Sequence, residues 1–156
     1  MTPNVDERLA SIVRSLSEVV LPHLPPEASL AQEQVHLCIG HLQILRAQMD
    51  QIPAFEQEEL VDAVSIAREL IGSTDGGEAT STATARLRDA ADSAGSGHPR
   101  DDRKAVLEAV DALVKAVASD GSTQTKARLS EIILRHETER SLKDRRWFAP
   151  FGFDTI

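Results

Sequence analysis

The stretch VDERLASIVRSLSEVV, residues 5–20, decides the fold class of this chain. Its apolar residues recur at spacings of 4, 3, 4 and 3, as Val5, Leu9, Ile12, Leu16 and Val19. This periodicity is typical of an amphipathic helix that faces other helices. Similar spacing recurs along the chain, and no run alternates with period two over the length of a strand. The sequence therefore predicts an all-α fold.

Prolines, glycines and capping residues divide the chain into five or six predicted helices. Four of them have approximate bounds of 5–24, 53–71, 83–95 and 123–143. The second begins near Leu30 and ends before Pro53, and the fifth follows GSGHPRDD, contains Val106 to Val117 and ends at Asp120-Gly121. Short connections favour a mostly antiparallel helical bundle. Gly40, inside the second helix, suggests a closely packed neighbouring helix, because glycine is unfavourable in a helix interior.

Two segments differ from the long amphipathic helices. The stretch GSTDGGEATST, residues 72–82, is small and polar, so we expect a mobile connection. The Ala-rich helix over 83–95 has Leu87 as its only large apolar residue. We expect this helix to bury little surface and to lie at the edge of the bundle.

The length of 156 residues fits one domain that can bury a core without disulfides or metal ions. Apolar residues make up 41% of the chain, mostly Ala, Leu and Val, and aromatic residues only 3%. Such a composition suits helices packed on helices. We expect one helical-bundle domain over residues 1–146 and an extended aromatic C-terminal tail over 147–156.

Charge and composition argue against several classes of partner. The net charge of -8 disfavours nucleic acid as a partner, because a protein that binds nucleic acid needs a basic face. No apolar run approaches the ~18 to 20 residues of a membrane span, and the start MTPNVDER lacks the features of a secretory signal. Cys38 is the only cysteine, which fits a reducing compartment. We therefore expect a cytoplasmic protein with no nucleic-acid or membrane partner.

The second helix carries the strongest candidate for chemistry, a set of four side chains: Glu33, His36, Cys38 and His41. Glu33 and His36 have the Glu-x-x-His spacing of iron ligands in ferritin-like bundles. A di-iron site needs a second such pair, but neither His98 nor His136 has a glutamate three residues before it. At 100° per residue, His36 and Cys38 also point about 200° apart. No metal site and no cofactor is predicted.

Two interpretations of Cys38 and His41 stay open. Helical periodicity places both side chains toward the core with Leu45, which favours a small buried thiol and a core histidine. The alternative is a pocket near Cys38, His41 and Met49 that binds a small apolar or acyl ligand, or a metal.

Complete catalytic signatures are missing from the sequence. His136 and Glu137 begin like a metalloprotease helix motif, but Arg140 stands where the second histidine is needed. No Gly-x-Ser-x-Gly elbow, Walker-type phosphate loop or Gly-x-Gly-x-x-Gly turn is present. No catalytic residue is predicted, and an enzymatic function has no positive support.

The segment RRWFAPFGF, residues 145–153, holds the only tryptophan and three of the four phenylalanines. Its candidate partner-binding residues are Arg145, Arg146, Trp147, Phe148, Phe151 and Phe153. Pro150 and Gly152 predict that no helix continues through it. Because exposed aromatic side chains are costly, the tail either folds back onto its own bundle or inserts into another chain. Aromatic residues beside arginines are typical of interface hot spots.

The run EVVLPHLPPEASLAQEQVHLCIGHLQIL, residues 18–45, resembles the start of a family of small helical bacterial proteins. Their genes often lie beside acyl-CoA dehydrogenase-like and aminoglycoside-phosphotransferase-like genes. The likeness rests on Glu18-Val19-Val20-Leu21-Pro22 and the apolar helix after it, with a fainter match at Arg146-Trp147. The polar stretch 72–82 and the Phe-rich end depart from the family. The resemblance implies an accessory protein of an acyl-CoA or phosphotransferase-type enzyme and assigns no functional residue.

The sequence therefore favours a non-enzymatic interaction module or accessory subunit. Such a module would dock to a protein partner, or to itself as a homo-oligomer, through helix faces and the aromatic tail. The alternative is the ligand-binding or metal-binding bundle with its pocket near His41 and Cys38.

Overall fold

The computed structural model describes residues 4–152, and its regular structure is helical. Six α-helices follow along the chain: α1 (Val5–Ser15), α2 (Ser29–Gln48), α3 (Ile52–Ser73), α4 (Glu78–Ser93), α5 (Pro99–Asp120) and α6 (Thr123–Phe148). No strand occurs within residues 4–152, where an isolated β-bridge pairs Gly76 with Gly121. The prediction of an all-α fold with five to six helices is confirmed.

The chain divides into two compact units, the first ending at Ile52 and the second beginning at Pro53. The first unit contains α1 and α2, and the second contains α3 to α6. A single domain over 1–146 and an antiparallel arrangement of the whole bundle stay predictions.

In the first unit, α1 and α2 form a hairpin. Asp6, in the first turn of α1, pairs with Arg46, in the last turn of α2. Arg46 Nε lies 2.7 Å from Asp6 Oδ1, and Nη2 lies 3.0 Å from Oδ2. The hydrogen bonds from Arg46 lower the pKa of Asp6. This bidentate pair therefore joins the open end of the hairpin.

After α1, the helix changes from α-helical to π-helical and then to 3-10 geometry before the chain turns. A π-helical turn covers Leu16–Val20, and a 3-10 turn covers Leu21–His23. In the π turn, the Leu21 N–H donates to the Leu16 carbonyl, five residues earlier. The first helical segment thus ends close to its predicted boundary, but one extra residue is accommodated in its last turns.

Gly40 in α2 was expected to allow a closely packed neighbour. Among the described residues, no atom outside the helix backbone around it lies within 4 Å of the position that a Cβ at Gly40 would occupy. That expectation is wrong, because open space lies where the neighbour should be.

The core of the second unit is built from aliphatic side chains of four helices. Its buried members are Ala63, Ile66, Ala67, Leu70, Ala83, Leu87, Ala91, Val106, Leu113, Val117, Leu129 and Ile132. The helices α4 and α5 make the most extensive contact between α-helices of this unit. The alanine side chains on α4 allow this contact, because they are short and let the backbones of α4 and α5 come close together.

Helix α4 buries more of its surface than its composition suggested. Leu87 is fully buried, and Thr80, Ala83 and Ala91 are buried on the same side of α4. The prediction that this helix buries little was wrong because it counted only large side chains. An alanine face can be fully covered when the partner helix comes close.

The polar stretch over 72–82 is not a loop along its length. Helix α3 includes Gly72 and Ser73, and α4 begins at Glu78, so only residues 74–77 connect the two helices. The end of α5 holds this connection: the Gly77 N–H donates to the Asp120 carbonyl at 3.2 Å. A Cβ on Gly77 would lie 2.5 Å from Asp120 Oδ2, so a side chain at this position would displace the Asp120 carboxylate.

The Asp120 carboxylate caps α4 from a different helix. Its Oδ2 accepts from the Ala79 N–H at 2.8 Å, and its Oδ1 accepts from the Thr80 N–H at 3.1 Å and from the Thr80 hydroxyl. These groups lie at the positive end of the α4 dipole, where a carboxylate is favourable. The hydrogen bond from the Thr80 hydroxyl lowers the pKa of Asp120 most, against a smaller opposing effect of burial, and the two backbone N–H groups lower it further.

We expect Asp120→Asn to reduce the thermal stability of the protein at pH 7 and to have a smaller effect as the pH falls. A carboxylate with a lowered pKa stabilises the fold above its unfolded pKa, near 3.8, and loses this contribution as the pH falls through the folded value. Melting curves between pH 7 and pH 2 measure the difference in Tm between the variant and the wild type. Asp92→Asn, at an exposed position of α4, is the control. A Tm difference that stays constant with pH would contradict the proposed cap.

The C-terminal helix extends further than predicted. Helix α6 continues through Phe148, and residues Ala149–Phe151 form a 3-10 turn that ends at Gly152 with φ 78°. The prediction that the segment from Trp147 is extended or turned is wrong for Trp147 and Phe148, which lie in the α-helix, whereas Ala149–Phe151 do form a turn. Pro150 lacks a backbone N–H, so the α-helical hydrogen bonds cannot continue through it, and the chain passes into the 3-10 turn after Phe148.

Candidate functional site

The candidate partner-binding residues of the C-terminal segment divide between a helix and a turn. Arg145, Arg146, Trp147 and Phe148 lie in the last turn of α6, and Phe151 lies in the 3-10 turn. Phe153 lies outside the described residues. The two arginines and Phe148 are exposed, whereas Trp147 and Phe151 are half-buried. The described aromatic side chains of the segment therefore differ in their exposure.

Trp147 packs against its own unit. Its ring stacks on Phe55, near the start of α3, with centroids 4.3 Å apart and an angle of 29° between the ring planes. The Nζ atom of Lys143 lies 5.2 Å from the centroid of the Phe55 ring. The tail was expected either to fold back onto its own bundle or to insert into another chain. Trp147 packs on its own chain.

Next to this stack lies an ion cluster formed by Glu58, Glu59, Asp62, Arg103 and Lys143. Lys143 Nζ lies 2.8 Å from Asp62 Oδ2 and 3.1 Å from Glu59 Oε1. Arg103 Nη2, from α5, lies 2.9 Å from Glu59 Oε2. Glu59 thus joins three helices, although only 5% of its side chain is exposed.

The two carboxylate oxygens of Glu59 differ in their contacts. Oε2 faces Arg103, while Oε1 is close to Lys143 without the angles of a hydrogen bond. Burial is the largest single effect on Lys143 and lowers its pKa, but the contacts with Asp62 and Glu59 together exceed it and raise the pKa. Lys143 is therefore held in its charged form, as a structural cation.

His136 also contacts a carboxylate. Its Nε2 lies 3.1 Å from Glu69 Oε2, and Arg135 pairs with the other oxygen of Glu69. The hydrogen bond from Arg135, followed by that from His136, lowers the pKa of Glu69. The pair Glu69 and His136 thus connects α3 with α6, as Lys143 and Asp62 do.

A small cleft lies beside these contacts, between α3, α5 and α6. Glu59, Ala63, Ile66, Leu107 and His136 are among its lining residues. It encloses about 50 Å³, whereas ligand pockets measure ~300 to 1,000 Å³. This cleft is therefore too small for an acyl ligand.

The residues of the predicted ligand pocket lie on α2 and at its end. Cys38 and His41 are exposed, and Met49 is half-buried directly after α2. The expectation that Cys38 and His41 point into a core with Leu45 is wrong, because Leu45 is exposed too. Within residues 4–152, no group of three or more His, Cys, Asp or Glu side chains could hold a metal ion.

The exposed side of α2 instead carries a regular pattern of uncharged residues. Positions spaced 4, 3, 4, 3 and 4 residues apart are Leu30, Gln34, Leu37, His41, Ile44 and Gln48. The first four are exposed, with Leu30 at 68% and Leu37 at 44%, and only the last two are buried. This spacing is that of helices that pack against other helices along a seam.

The first helical segment has the same spacing and a similar exposure. Val5, Ile12 and Val19, each seven residues apart, are exposed, while Leu9 and Leu16 between them are half-buried. We call these five positions and the six on α2, one row on each helical segment, the heptad face. None of the eleven carries a formal charge.

The hairpin has almost no core within the described structure. No described residue of α1 is buried, and Ile44 is the one buried apolar residue of α2. Sequence reasoning found the spacing but assigned it to a core. Periodicity shows that a face is apolar, and it cannot show whether another helix covers that face.

Searches of family models, curated proteins and solved structures found no match to this chain. None of the helices within residues 4–152 has the length and hydropathy to cross a membrane.

Proposed function

We propose that this chain is a protein-interaction module that binds its partner through the heptad face of the α1–α2 hairpin. The observation that carries the proposal is that seven uncharged, regularly spaced residues, five of them Val, Ile or Leu, are exposed on a hairpin whose α-helices bury one apolar residue. Docking is the function that such a surface supports best.

The energetics of a helical hairpin support this proposal. A unit of about 50 residues rarely supplies more than ~3 to 5 kcal/mol of stability even with a proper core. Ile44 alone provides little apolar burial, and exposed leucines such as Leu30 contribute less than they would when covered. A partner that covers the heptad face would add the missing burial.

The C-terminal segment offers a second, smaller contact. Phe148 is 42% exposed and Arg146 lies beside it in the last turn of α6. Trp147 has the largest side chain of this segment, and its ring is already stacked on Phe55. The proposed docking surface therefore shifts from the aromatic residues to the hairpin, with Phe148 as a secondary contact.

The alternative function, binding of an apolar ligand or a metal near Cys38 and His41, has less support. Both side chains are exposed on α2 rather than enclosed. Ligand pockets bury most of the ligand between apolar walls. An acyl-CoA or phosphotransferase-type enzyme, implied by the sequence resemblance, is instead a candidate partner of the module.

A pull-down from host lysate with the full chain as bait tests the proposal. Leu37→Glu places a charge on the heptad face, and we expect it to remove the captured partner or the captured copy of the chain. Leu134→Glu is the matched control, because Leu134 is an exposed leucine of α6, in the second unit. If Phe148→Ala removes the partner and Leu37→Glu does not, the docking surface is the C-terminal segment and the proposal is wrong.

A further inference from the structure

We infer that α1 is a hinged arm over α2, closed by the ion pair between Asp6 and Arg46, and that its opening uncovers apolar residues on both helices. The hinge, the ion pair and the covered residues all belong to the first unit. This movement goes beyond the proposed docking function, because the hairpin itself provides each part and no partner is needed.

The side of α2 that faces α1 carries a half-buried row. Arg46 marks this side, because its guanidinium donates to the Asp6 carboxylate of α1. Val35, Ile39 and Leu42 lie on the same side, since they precede Arg46 at spacings of four, three and four residues. All four are half-buried and none is buried. Helix α1 and the π turn contact α2 and thus cover this row only in part.

The facing side of α1 is covered to the same degree. Asp6 marks this side, and Leu9 and Val13 follow at spacings of three and four residues. These three residues are half-buried. None of the 11 residues of α1, all of which the structure describes, is buried. Separating α1 from α2 therefore removes no side chain of α1 from a closed core.

The helix geometry is altered where the arm ends. The Leu16 N–H is shared between the carbonyls of Ile12 and Val13. The Ser17 hydroxyl donates to the same Val13 carbonyl at 2.9 Å. The π turn Leu16–Val20 begins at this point. Helices bend at π turns and at serines that bond to the preceding turn, so the hinge of the arm lies here.

The ion pair lies at the end of the arm that is far from the hinge. Asp6 and Leu16 are ten positions apart, which is about 15 Å along a helix. A contact at this end restrains the whole arm. Arg46 and Asp6 keep 33% and 43% of their side chains exposed. Water can therefore solvate both charges when the pair separates, and opening leaves no buried charge without a partner.

Opening the arm changes the apolar surface of the hairpin. The residues it uncovers are Leu9 and Val13 on α1 and Val35, Ile39 and Leu42 on α2. Exposing them to water is unfavourable, so the closed arm is the more populated state. The ion pair adds to this preference and thus determines how often the covered row becomes accessible.

Hydrogen exchange of the full chain, followed by mass spectrometry of peptides from each helix, tests the arm. An opened α1 of 11 residues keeps little helical structure in water, so its amides exchange while the arm is open. We expect Arg46→Met to speed exchange in α1 by about two- to fivefold, because the ion pair is lost. Exchange in α2 should rise less, since Ile44 and Gln48, on another side of that helix, are buried. An equal increase in both helices would mean that the hairpin melts as a whole, and would overturn the inference.

Two variants serve as controls for this measurement. Lys115→Met removes the cation of an exposed ion pair on α5 and should leave exchange in α1 as in the wild type. Leu37→Glu changes the side of α2 opposite Arg46 and should also leave it unchanged, so the arm and the docking surface are tested separately. Exchange in α1 that does not respond to Arg46→Met would overturn the inference.

The distance between two spin labels tests the hinge. Cys38 on α2 is the only cysteine and is exposed, and Ser11, exposed on α1, can be replaced by cysteine as the second labelling site. We expect one main distance for the closed arm and a longer, less populated distance that increases in Arg46→Met. A single distance that is the same with and without this change would show that α1 does not swing, and the inference would be wrong.

Discussion

Replacing Leu87 with alanine is expected to lower the free energy of unfolding by about 3 to 5 kcal/mol. Leu87 is fully buried and is the only large apolar side chain of α4. The loss combines the transfer energy of the removed carbon atoms with the cost of the cavity that remains. Natural domains have a total stability of about 5 to 15 kcal/mol, so this single change would remove a large share of it.

The magnitude is expected at the upper end because α4 cannot easily close the cavity. Its other buried residues, Thr80, Ala83 and Ala91, already allow a close approach to α5. The N-terminus of α4 is also held by Asp120, which restricts a shift of the helix. With little relaxation, most of the cavity volume persists.

Urea denaturation followed by tryptophan fluorescence measures the effect of Leu87→Ala. Trp147 is the only tryptophan and stacks on Phe55 within the second unit, so its signal reports on the unit that contains Leu87. Leu134→Ala is the control at an exposed leucine, with an expected change within ~0.5 kcal/mol. If the two variants lose similar stability, the buried face of α4 contributes little to the stability of the fold.

Local physics explains why the helices could be predicted from the sequence. Apolar residues at spacings of three and four define α1 and α5, and prolines and glycines set most of the boundaries. Asp120 and Gly121 correctly mark the end of α5. These signals act within one turn of the helix, so they need no knowledge of the tertiary structure.

The errors at α4 and α6 have different causes. At α4, the predicted start was too late, because the N-terminus is capped by Asp120, 40 residues away from Thr80, and no local signal indicates this contact. At α6, the prediction assumed that Pro150 excludes a helix over several preceding residues. It therefore ended the helix near Lys143, whereas α6 continues to Phe148. A sequence pattern does not show long-range contacts, so the error at α4 could not be avoided. The error at α6 could be avoided by a more accurate rule for where proline ends a helix.

The candidate site was predicted only in part. The spacing of Val5, Ile12 and Val19 was visible, but its meaning depends on whether another helix covers it. The same ambiguity placed Cys38 and His41 in a core when both are exposed. The aromatic residue Trp147 was recognised as unusual, while its partner Phe55 lies 92 positions earlier and could not be assigned.

The buried ion cluster around Glu59 leads to the second large expected effect. Arg103→Met should lower the free energy of unfolding by about 2 to 3 kcal/mol, because it leaves a buried carboxylate without its closest cation. Arg103 Nη2 lies 2.9 Å from Glu59 Oε2, and Glu59 is almost fully buried. The expected loss is below that of an isolated buried pair, since Lys143 stays 3.1 Å from Glu59 Oε1.

An exposed ion pair provides the matched control for this variant. Lys115 and Asp111 lie one turn apart on α5, with Nζ and Oδ2 separated by 2.6 Å and both side chains mostly exposed. Lys115→Met should cost less than about 0.5 kcal/mol, because solvent screens such pairs. The same basic-to-methionine change in the same helix thus separates the effect of burial from that of the substitution.

The double variant Glu59→Met, Arg103→Met distinguishes a buried charge from lost packing. If the uncompensated carboxylate causes the loss in Arg103→Met, removing it should restore stability to within ~1 kcal/mol of the wild type, with a coupling energy of about 2 kcal/mol. If the double variant is instead less stable than either single variant, the arginine acts through the packing of its aliphatic stem. Chemical denaturation with Trp147 fluorescence again gives the values, because Lys143 and the Phe55 stack lie next to Glu59. A cost for Arg103→Met no larger than that of Lys115→Met would mean that Lys143 alone compensates the buried carboxylate.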